Sequence, residues 1–283
     1  MMKKILIADA GSTKTHWSLL TEETGTPVRI STAGINPAHD APETVASKLR
    51  DLQNHEDFRR IDEIYFYGAG CATDALKQTL KDALKEASGA EKIVVESDLL
   101  GAAIALFGTS EGIACILGTG SNTGLYSGGK IISKIPSLGF ILGDEGGGVA
   151  LGKVLLNGIF KRQLSPETIS KFEREYNLSL DTLIEKVYRQ PKPAPFIASF
   201  SPFLLENIGS EEIRNLVKNE FKDFFKKNIL SYKDYEGYKV GFVGSIAYNF
   251  RDILIETASE YRLEISNIIS QPIHGLEKHY LGK

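Results

Sequence analysis

The chain has 283 residues, of which 42% are hydrophobic and 24% charged, and its 33 basic and 36 acidic residues leave a net charge of −3. This length allows one large domain or two smaller ones. The balanced charge argues against a protein that coats nucleic acid or a membrane, since both uses need a basic excess, and no stretch approaches the roughly 20 apolar residues of a membrane span. The two cysteines, Cys71 and Cys115, exclude a disulfide framework, and a cytoplasmic location is expected.

The first part of the chain begins with three predicted strands joined by tight turns, which indicates an antiparallel meander. Strands then alternate with helices, and this alternation is typical of parallel α/β pairing. The predicted strands cover residues 3–8, 17–20, 28–31, 63–69 and 93–96, and the predicted helices cover residues 42–54, 73–88 and 99–107.

The same pattern starts again near residue 113, with a strand, a turn of small residues and a hairpin. This repetition predicts an internal duplication. We expect a first lobe over residues 1–112, joined by about 270–283, and a second lobe over 113–269. The remaining predicted strands cover residues 113–117, 124–126, 131–133, 239–243 and 263–268, and the helices cover residues 146–163, 166–189, 199–207, 210–230, 246–260 and 275–281. The prolines Pro191, Pro193 and Pro195 predict a stiff surface connection.

Two turns of small residues carry the chemical signal of the sequence. They are Asp9-Ala10-Gly11-Ser12-Thr13-Lys14-Thr15 and Leu117-Gly118-Thr119-Gly120-Ser121-Asn122-Thr123. Such turns let several backbone N–H groups converge on an anion, most often a polyphosphate. The P-loop pattern fails at its last position, Val154, and the dinucleotide pattern fails at Thr123, where a glycine is required. A pair of phosphate-binding hairpins, one in each half, is the interpretation that remains.

These turns resemble the two phosphate motifs of the sugar kinase, heat-shock ATPase and actin superfamily. The segment Gly241-Phe242-Val243-Gly244-Ser245 resembles the adenosine motif of the same superfamily. The second turn, followed by Gly143-Asp144-Glu145-Gly146, is similar to the N-acetylglucosamine kinase branch, which is grouped with the BadF/BadG/BcrA/BcrD ATPases. The resemblance covers nearly the whole chain. It implies two duplicated ribonuclease H-like (actin-like ATPase) domains of the α/β class, with ATP and a sugar in the cleft between them.

The resemblance also implies which residues bind Mg²⁺-ATP. Asp9 would orient Mg²⁺ through water molecules, because this hard cation prefers carboxylate and water oxygens. Lys14 would help to neutralise phosphate charge, although a solvated turn lysine is the simpler alternative. The other implied nucleotide contacts are Gly11, Ser12 and Thr13 in the first turn, Gly118, Thr119 and Gly120 in the second, and Gly244 and Ser245 in the adenosine motif.

Three side chains are implied on the sugar side. Asp98 would contact the sugar and take the proton from its attacking hydroxyl, with a helix N-cap as the alternative and Glu96 as the fallback carboxylate. Asn36 would bond sugar hydroxyls, since an amide both donates and accepts, or it would simply make an Asn-Pro turn. Asp144 would also hold sugar hydroxyls while Glu145 caps the next helix. The alternative is that both acids only cap that helix.

The implied activity is ATP-dependent phosphorylation of an amino sugar, with N-acetylglucosamine as the first candidate. The family often has Gly-Trp-Gly where this chain has Ser137-Leu138-Gly139, which leaves the identity of the sugar open. One alternative is an ATPase that activates a dehydratase, but Cys71 and Cys115 are poorly placed to share an iron–sulfur cluster. The other alternative is a non-catalytic sensor that binds a sugar or a nucleotide. The sequence leaves the oligomeric state open, with a homodimer as one option.

Overall fold

A computed structural model describes residues 3–11, 14–21, 26–38, 40–53 and 55–282 of the chain. Two compact units are present. The first unit lies within Met1–Ser110, Tyr126–Ile131 and Gln271–Lys283, and the second comprises Glu111–Leu125 and Ile132–Ser270. The hairpin segment Tyr126–Ile131 therefore groups with the first unit, although the residues on both sides of it belong to the second.

The sheet of the first unit has five strands in the order β3-β2-β1-β4-β5. Strands β1, β2 and β3 form the expected antiparallel meander, and β4 and β5 extend the sheet in parallel pairing from the other side of β1. Apolar side chains such as Leu6 and Phe66 are almost fully buried because helices cover this sheet. The strands are β1 (Lys4–Ala10), β2 (Lys14–Thr21), β3 (Val28–Ala33), β4 (Glu63–Gly68) and β5 (Lys92–Ser97).

The second sheet has the same strand order as the first when it is read from the opposite edge, so that β6, β7, β8, β9 and β10 correspond to β1, β2, β3, β4 and β5. Its order is β10-β9-β6-β7-β8, and its first strand, β6, pairs with β9 in parallel, as β1 pairs with β4 in the first sheet. This shared topology confirms the predicted internal duplication. The strands are β6 (Gly112–Leu117), β7 (Ser121–Ser127), β8 (Lys130–Ser133), β9 (Val240–Val243) and β10 (Ile265–Ile269).

The helices mostly lie where the sequence predicts them. Those of the first unit are α1 (Pro42–Gln53), α2 (Asp74–Ser88), α3 (Asp98–Phe107) and α13 (Ile273–Leu281). Those of the second unit are α4 (Gly139–Leu142), α5 (Gly148–Phe160), α6 (Pro166–Tyr176), α7 (Leu180–Tyr188), α8 (Pro193–Ala198), α9 (Ser201–Glu206), α10 (Glu211–Phe224), α11 (Ser245–Asn249) and α12 (Arg251–Ser259). A π-helical turn, Phe225–Ile229, continues α10.

Three sequence predictions in this region are wrong. The single helix predicted over 246–260 is two helices, α11 and α12, which are separated at Phe250. The single helix predicted over 166–189 is two helices, because Asn177 takes a left-handed conformation and Ser179 caps the next helix. The proline-rich connection is instead the short helix α8, with Pro193 in its first turn. Proline fits there because the first helical residues have no internal partner for their N–H groups.

Each unit has its own hydrophobic core. In the first unit, Trp17 lies fully buried with its ring edge-to-face against Phe66. In the second, Phe224 of α10 and Phe225 of the π-helical turn pack against Phe242 of β9. Both cysteines are free and buried, as expected. Among the described helices, none has the length and apolar character needed to cross a membrane.

Candidate functional site

The first phosphate turn joins β1 to β2 at the edge of the first unit's sheet. Strand β1 carries Asp9 next to its last residue, and the chain reverses through a hydrogen bond from Gly11 N–H to the Lys14 carbonyl at 2.9 Å. Lys14 is exposed at the start of β2. Ser12 and Thr13, also expected to bind phosphate, lie outside the described residues. The described part of the turn thus presents one carboxylate and one lysine at the same end of the sheet.

Asp98 is close enough to Asp9 for its charge to act on that carboxyl, although 89 positions separate the two residues in the sequence. Burial and the charge of Asp98 together raise the pKa of Asp9 to about 7. Strand β5 ends at Ser97, and the Ser97 hydroxyl accepts from Leu100 N–H, so Ser97 is the N-cap of α3 and Asp98 is its first residue. The N-cap interpretation of Asp98 is therefore wrong. Asp98 Oδ1 accepts from Leu99 N–H at 2.8 Å, which points the carboxylate back over the start of the helix.

Glu96 and Cys71 lie close to Asp98. Glu96, the fallback carboxylate, forms an ion pair with Lys77 of α2. Burial, together with the charges of Asp98 and Glu96, raises the pKa of the Cys71 thiol to about 12. A buried thiol with this pKa stays protonated at neutral pH, which is typical of a small core residue.

Asn36 is buried in the loop after β3 and faces the loop after β4. Its Oδ1 accepts from Ala38 N–H at 3.0 Å, and its own N–H donates to Asp40 Oδ2 at 2.9 Å. Gly70 makes room for it, because a Cβ there would lie 1.9 Å from Asn36 Oδ1. The Asn-Pro turn is therefore present, and the Nδ2 amine is the part of Asn36 suited to a sugar hydroxyl.

The second phosphate turn, Gly118–Gly120, follows β6 in the second unit. Its carbonyls hold the start of α5, since Gly148 N–H donates to Gly118 at 2.8 Å and Val149 N–H to Thr119 at 2.9 Å. The outer side of the turn is open, because an added Cβ on Gly118 would meet no atom within 4 Å and Thr119 is exposed. Gly120 faces inward, where a Cβ would lie 2.7 Å from Asp144 Oδ1.

Asp144 and Glu145 do not cap α5. The N-cap of that helix is Gly147, which has no side chain, so the expected capping by Glu145 is wrong, as is the alternative that both acids are caps. Asp144 is buried in a left-handed conformation (φ 62°), and its Oδ1 accepts from Ser121 N–H at 3.0 Å. Asp144 thus joins the Gly143–Gly146 motif to the second phosphate turn.

The third motif lies next to the same turn. Gly244 follows β9 with φ 123°, and a Cβ on it would lie 2.2 Å from the Leu117 carbonyl oxygen. Ser245 begins the short helix α11. Three motifs expected to bind ligands therefore converge within the second unit, and they do so through backbone contacts that only glycine permits.

Comparison with solved structures places this arrangement in a family. A candidate N-acetylglucosamine kinase from Porphyromonas gingivalis is 38% identical, with 99% of each chain covered and a TM-score of 0.94. The chain belongs to the family of N-acetylglucosamine kinase-like proteins. A candidate N-acetylglucosamine kinase from Chromobacterium violaceum is 18% identical, with 98% of each chain covered and a TM-score of 0.76, and shows the same fold. No family model and no curated protein sequence matches the chain.

The N-acetylglucosamine kinase-like fold is that of the actin-like ATPases. A ROK hexokinase from Thermus thermophilus, 15% identical with 99% of each chain covered, shares it at a TM-score of 0.51. The expected pair of duplicated actin-like ATPase domains is thus confirmed.

Several residues around these motifs escaped the sequence analysis. Ser121 was part of a predicted turn, but nothing marked its N–H as the partner of Asp144. Lys227 and Asn228, which contact Glu145, lie in what the sequence predicts as an ordinary amphipathic helix. No sequence pattern marks them, because their contact with Glu145 depends on how the π-helical turn packs against the Gly143–Gly146 motif.

Proposed function

We propose that this N-acetylglucosamine kinase-like protein transfers the γ-phosphoryl group of ATP to a hydroxyl of an amino sugar, with N-acetylglucosamine as the first candidate. The observation that carries the proposal is the pair of neighbouring carboxylates, Asp9 and Asp98, at the ends of β1 and β5. The substrate class is supported by the 38% identical candidate N-acetylglucosamine kinase.

In this proposal Asp98 is the general base. Its carboxylate takes the proton of the sugar hydroxyl, and the hydroxyl oxygen forms a bond to the γ-phosphorus. The bond from that phosphorus to the β–γ bridging oxygen breaks, so that ADP leaves, and the proton on Asp98 passes to solvent. Since Ser97 already caps α3, the Asp98 carboxylate is not needed to start the helix.

The first unit also fits Mg²⁺. No group of three or more His, Cys, Asp or Glu side chains in the described parts of the chain could hold a metal alone, but Mg²⁺ commonly binds through one or two carboxylates, water and substrate phosphates. Asp9 would hold it through water molecules, and a divalent cation would relieve the repulsion between Asp9 and Asp98. When bound, Mg²⁺ would offset negative charge on the phosphates.

The nucleotide and sugar contacts follow from the remaining motifs. Gly11, Lys14, the half-buried Gly118 and the exposed Thr119 are suited to phosphate, with Ser12 and Thr13 as proposed additions. Gly120, Gly244 and Ser245 would contribute through the backbone, because the two glycines are already packed against protein atoms. Asn36 would donate to the sugar from Nδ2, and Asp98 and Asp144 would accept from its hydroxyls.

A coupled ADP-release assay over a panel of amino sugars and neutral hexoses tests the activity. We expect ADP release that depends on N-acetylglucosamine, together with a product heavier by one phosphoryl group. ADP release without a phosphorylated sugar would favour the ATPase alternative, and binding without turnover would favour the sensor. Either result would overturn the kinase proposal. Iron–sulfur ligation is opposed by Cys115, which is fully buried in β6.

The Asp144→Asn variant tests the sugar contact. Asparagine keeps the Oδ1 acceptor for Ser121 N–H, so the second phosphate turn should keep its shape. It removes a charged acceptor, and we expect the sugar KM to rise about 10- to 100-fold. The ATP KM should change by less than about threefold. An unchanged sugar KM with a lower melting temperature would assign Asp144 a structural role only.

A further inference from the structure

The π-helical turn at the end of α10 contacts the residue that follows Asp144. Lys227 Nζ lies 3.4 Å from Glu145 Oε1, and Asn228 Nδ2 lies 3.4 Å from Glu145 Oε2. Consecutive residues of an α-helix point about 100° apart, yet the side chains of these two consecutive residues reach the same carboxylate. Both residues belong to the π turn, Phe225–Ile229. Such turns are frequent at functional sites.

A second contact joins α10 to the next residue of the motif. Gly146 has φ 71°, and a Cβ on it would lie 2.9 Å from Phe224 Cβ. Its N–H is hydrogen-bonded to the Glu220 carboxylate, which opposes the rise in the pKa of Glu220 that burial and Asp223 produce. Helix α10 and its π turn therefore hold two consecutive residues, Glu145 and Gly146.

These contacts bear on the conformation of Asp144. A non-glycine residue in the left-handed region is strained and persists only where its surroundings fix it. The Asp144 side chain is fixed by Ser121 N–H and by the Ser137 hydroxyl at 3.3 Å. Its backbone is followed directly by the two residues that α10 holds. The arrangement thus fixes Asp144 from both sides.

We propose that Lys227 and Asn228 are positioning residues for the sugar site: by holding Glu145, they keep Asp144 in the left-handed conformation that directs its carboxylate to the second phosphate turn. This inference rests on the proposed role of Asp144 in sugar binding. We expect Asn228 to contribute more than Lys227, because Asn228 is 7% exposed whereas the Lys227 side chain is 56% exposed. Neither residue is expected to touch the sugar.

The first test measures kinetics. We expect Asn228→Ala to raise the sugar KM about 10-fold and Lys227→Met about threefold, with kcat and the ATP KM within about twofold of the parent. Lys227→Arg keeps the positive charge, so its sugar KM should equal that of the parent protein. Lys226→Met removes one charge from an exposed neighbour on the same turn and is the matched control, with no expected effect. A normal sugar KM in Asn228→Ala, with only a lower melting temperature, would overturn the proposal.

A double-mutant cycle tests whether Asn228 acts through Glu145. If it does, adding Asn228→Ala to Glu145→Ala should not raise the sugar KM further. Fully multiplicative effects of the two substitutions would show that Asn228 acts by another route and would contradict the proposal.

Hydrogen exchange of the unliganded protein separates this proposal from the proposed function. In Asn228→Ala, the amides of peptides covering residues 143–148 should exchange at least about fivefold faster than in the parent protein. In Lys226→Met, their exchange rate should equal that of the parent. If Asn228→Ala exchanges at the same rate as the parent protein, the positioning role is overturned, even if the parent protein phosphorylates no sugar. A parent protein without sugar-dependent turnover would instead refute the proposed function.

Discussion

Asp98 offers a direct test of the proposed base, because Ser97 provides the cap of α3. Asp98→Asn keeps the shape and the acceptor for Leu99 N–H but removes the proton acceptor. We expect turnover to fall by about 10²- to 10⁴-fold, with ATP binding within a few-fold. The measurement is kcat together with ATP affinity by calorimetry.

Asp74→Asn is the matched control for this substitution. Asp74 is also the first residue of a helix whose cap is another side chain, here Thr73. A general effect of losing a negative charge at this helix position would appear in both variants. Near-normal turnover in Asp98→Asn would show that this carboxylate does not take the proton.

Two glycines of the second unit differ in what surrounds them: Gly118 faces open space, where a ligand could lie, whereas Gly244 is packed against the protein backbone. Gly118→Ala places a methyl group in open space, so we expect the melting temperature to change by less than about 2 °C while the ATP KM rises at least about 10-fold. Gly244→Ala places a Cβ against the Leu117 carbonyl at positive φ, and strain of this kind costs about 1–3 kcal/mol. Its melting temperature should fall by several degrees. ATP binding by Gly118→Ala at the parent affinity would exclude this turn from the nucleotide site.

At these positions the sequence predicts which residue types form the site but not how they contact one another. The expected capping by Glu145 failed because its partners, Lys227 and Asn228, lie more than 80 positions further along the chain. The neighbouring carboxylates Asp9 and Asp98 were both chosen from motifs, yet their proximity depends on β1, β4 and β5 lying side by side. Local patterns contain no information on such pairing.

Among the elements, the terminal helix α13 is held to β2 and β3 by one buried carboxylate. Glu277 accepts from Ser18 Oγ at 2.6 Å and from Arg29 Nε at 2.6 Å. Burial acts to raise the pKa of Glu277, but the hydrogen bonds from Arg29, Ser18 and His274 outweigh it and hold that pKa below its usual value. The ionised form therefore stabilises the folded protein.

Glu277→Gln should lower the free energy of unfolding at pH 7 by about 1.5–3 kcal/mol, since it removes the charge from these hydrogen bonds. A group with a depressed pKa contributes its stability above the unfolded pKa and loses it as the pH falls through the folded value. The difference from the parent should thus shrink below about pH 4. Denaturant unfolding of both proteins at pH 7 and at lower pH measures this difference in the free energy of unfolding. Glu173→Gln, in an exposed pair with Arg162, is the control and should have almost no effect.

The strands were easier to predict than the helices of the second unit. Unbroken apolar runs such as those of β1 and β6 mark buried strands whatever lies beside them. The helix starting at Pro193 depends on packing, since the backbone of Ile197 in α8 lies directly against Gly152 of α5. The break at Asn177 has a local cause, the left-handed Asn177 and the Ser179 cap, that helix propensity does not weigh. Propensity alone therefore extended one helix too far and missed another.

For the whole molecule, the repeated strand order has a consequence for stability. Each copy of the topology encloses its own core, and the single tryptophan, Trp17, lies in that of the first unit. Its fluorescence therefore reports the packing of the first unit. Most of the helices belong to the second unit, so far-UV circular dichroism mainly reports the second.

Substitutions in each core test whether these signals separate. Leu80 in the first unit and Leu155 in the second are almost completely buried, and a Leu→Ala change at such a site costs about 2–5 kcal/mol. We expect Leu80→Ala to lower mainly the denaturant midpoint of Trp17 fluorescence, and Leu155→Ala to lower mainly that of circular dichroism. Two-domain chains often unfold in this way, and then no single free energy of unfolding describes them. Equal shifts of both midpoints in both variants would show instead that the chain unfolds as one cooperative unit.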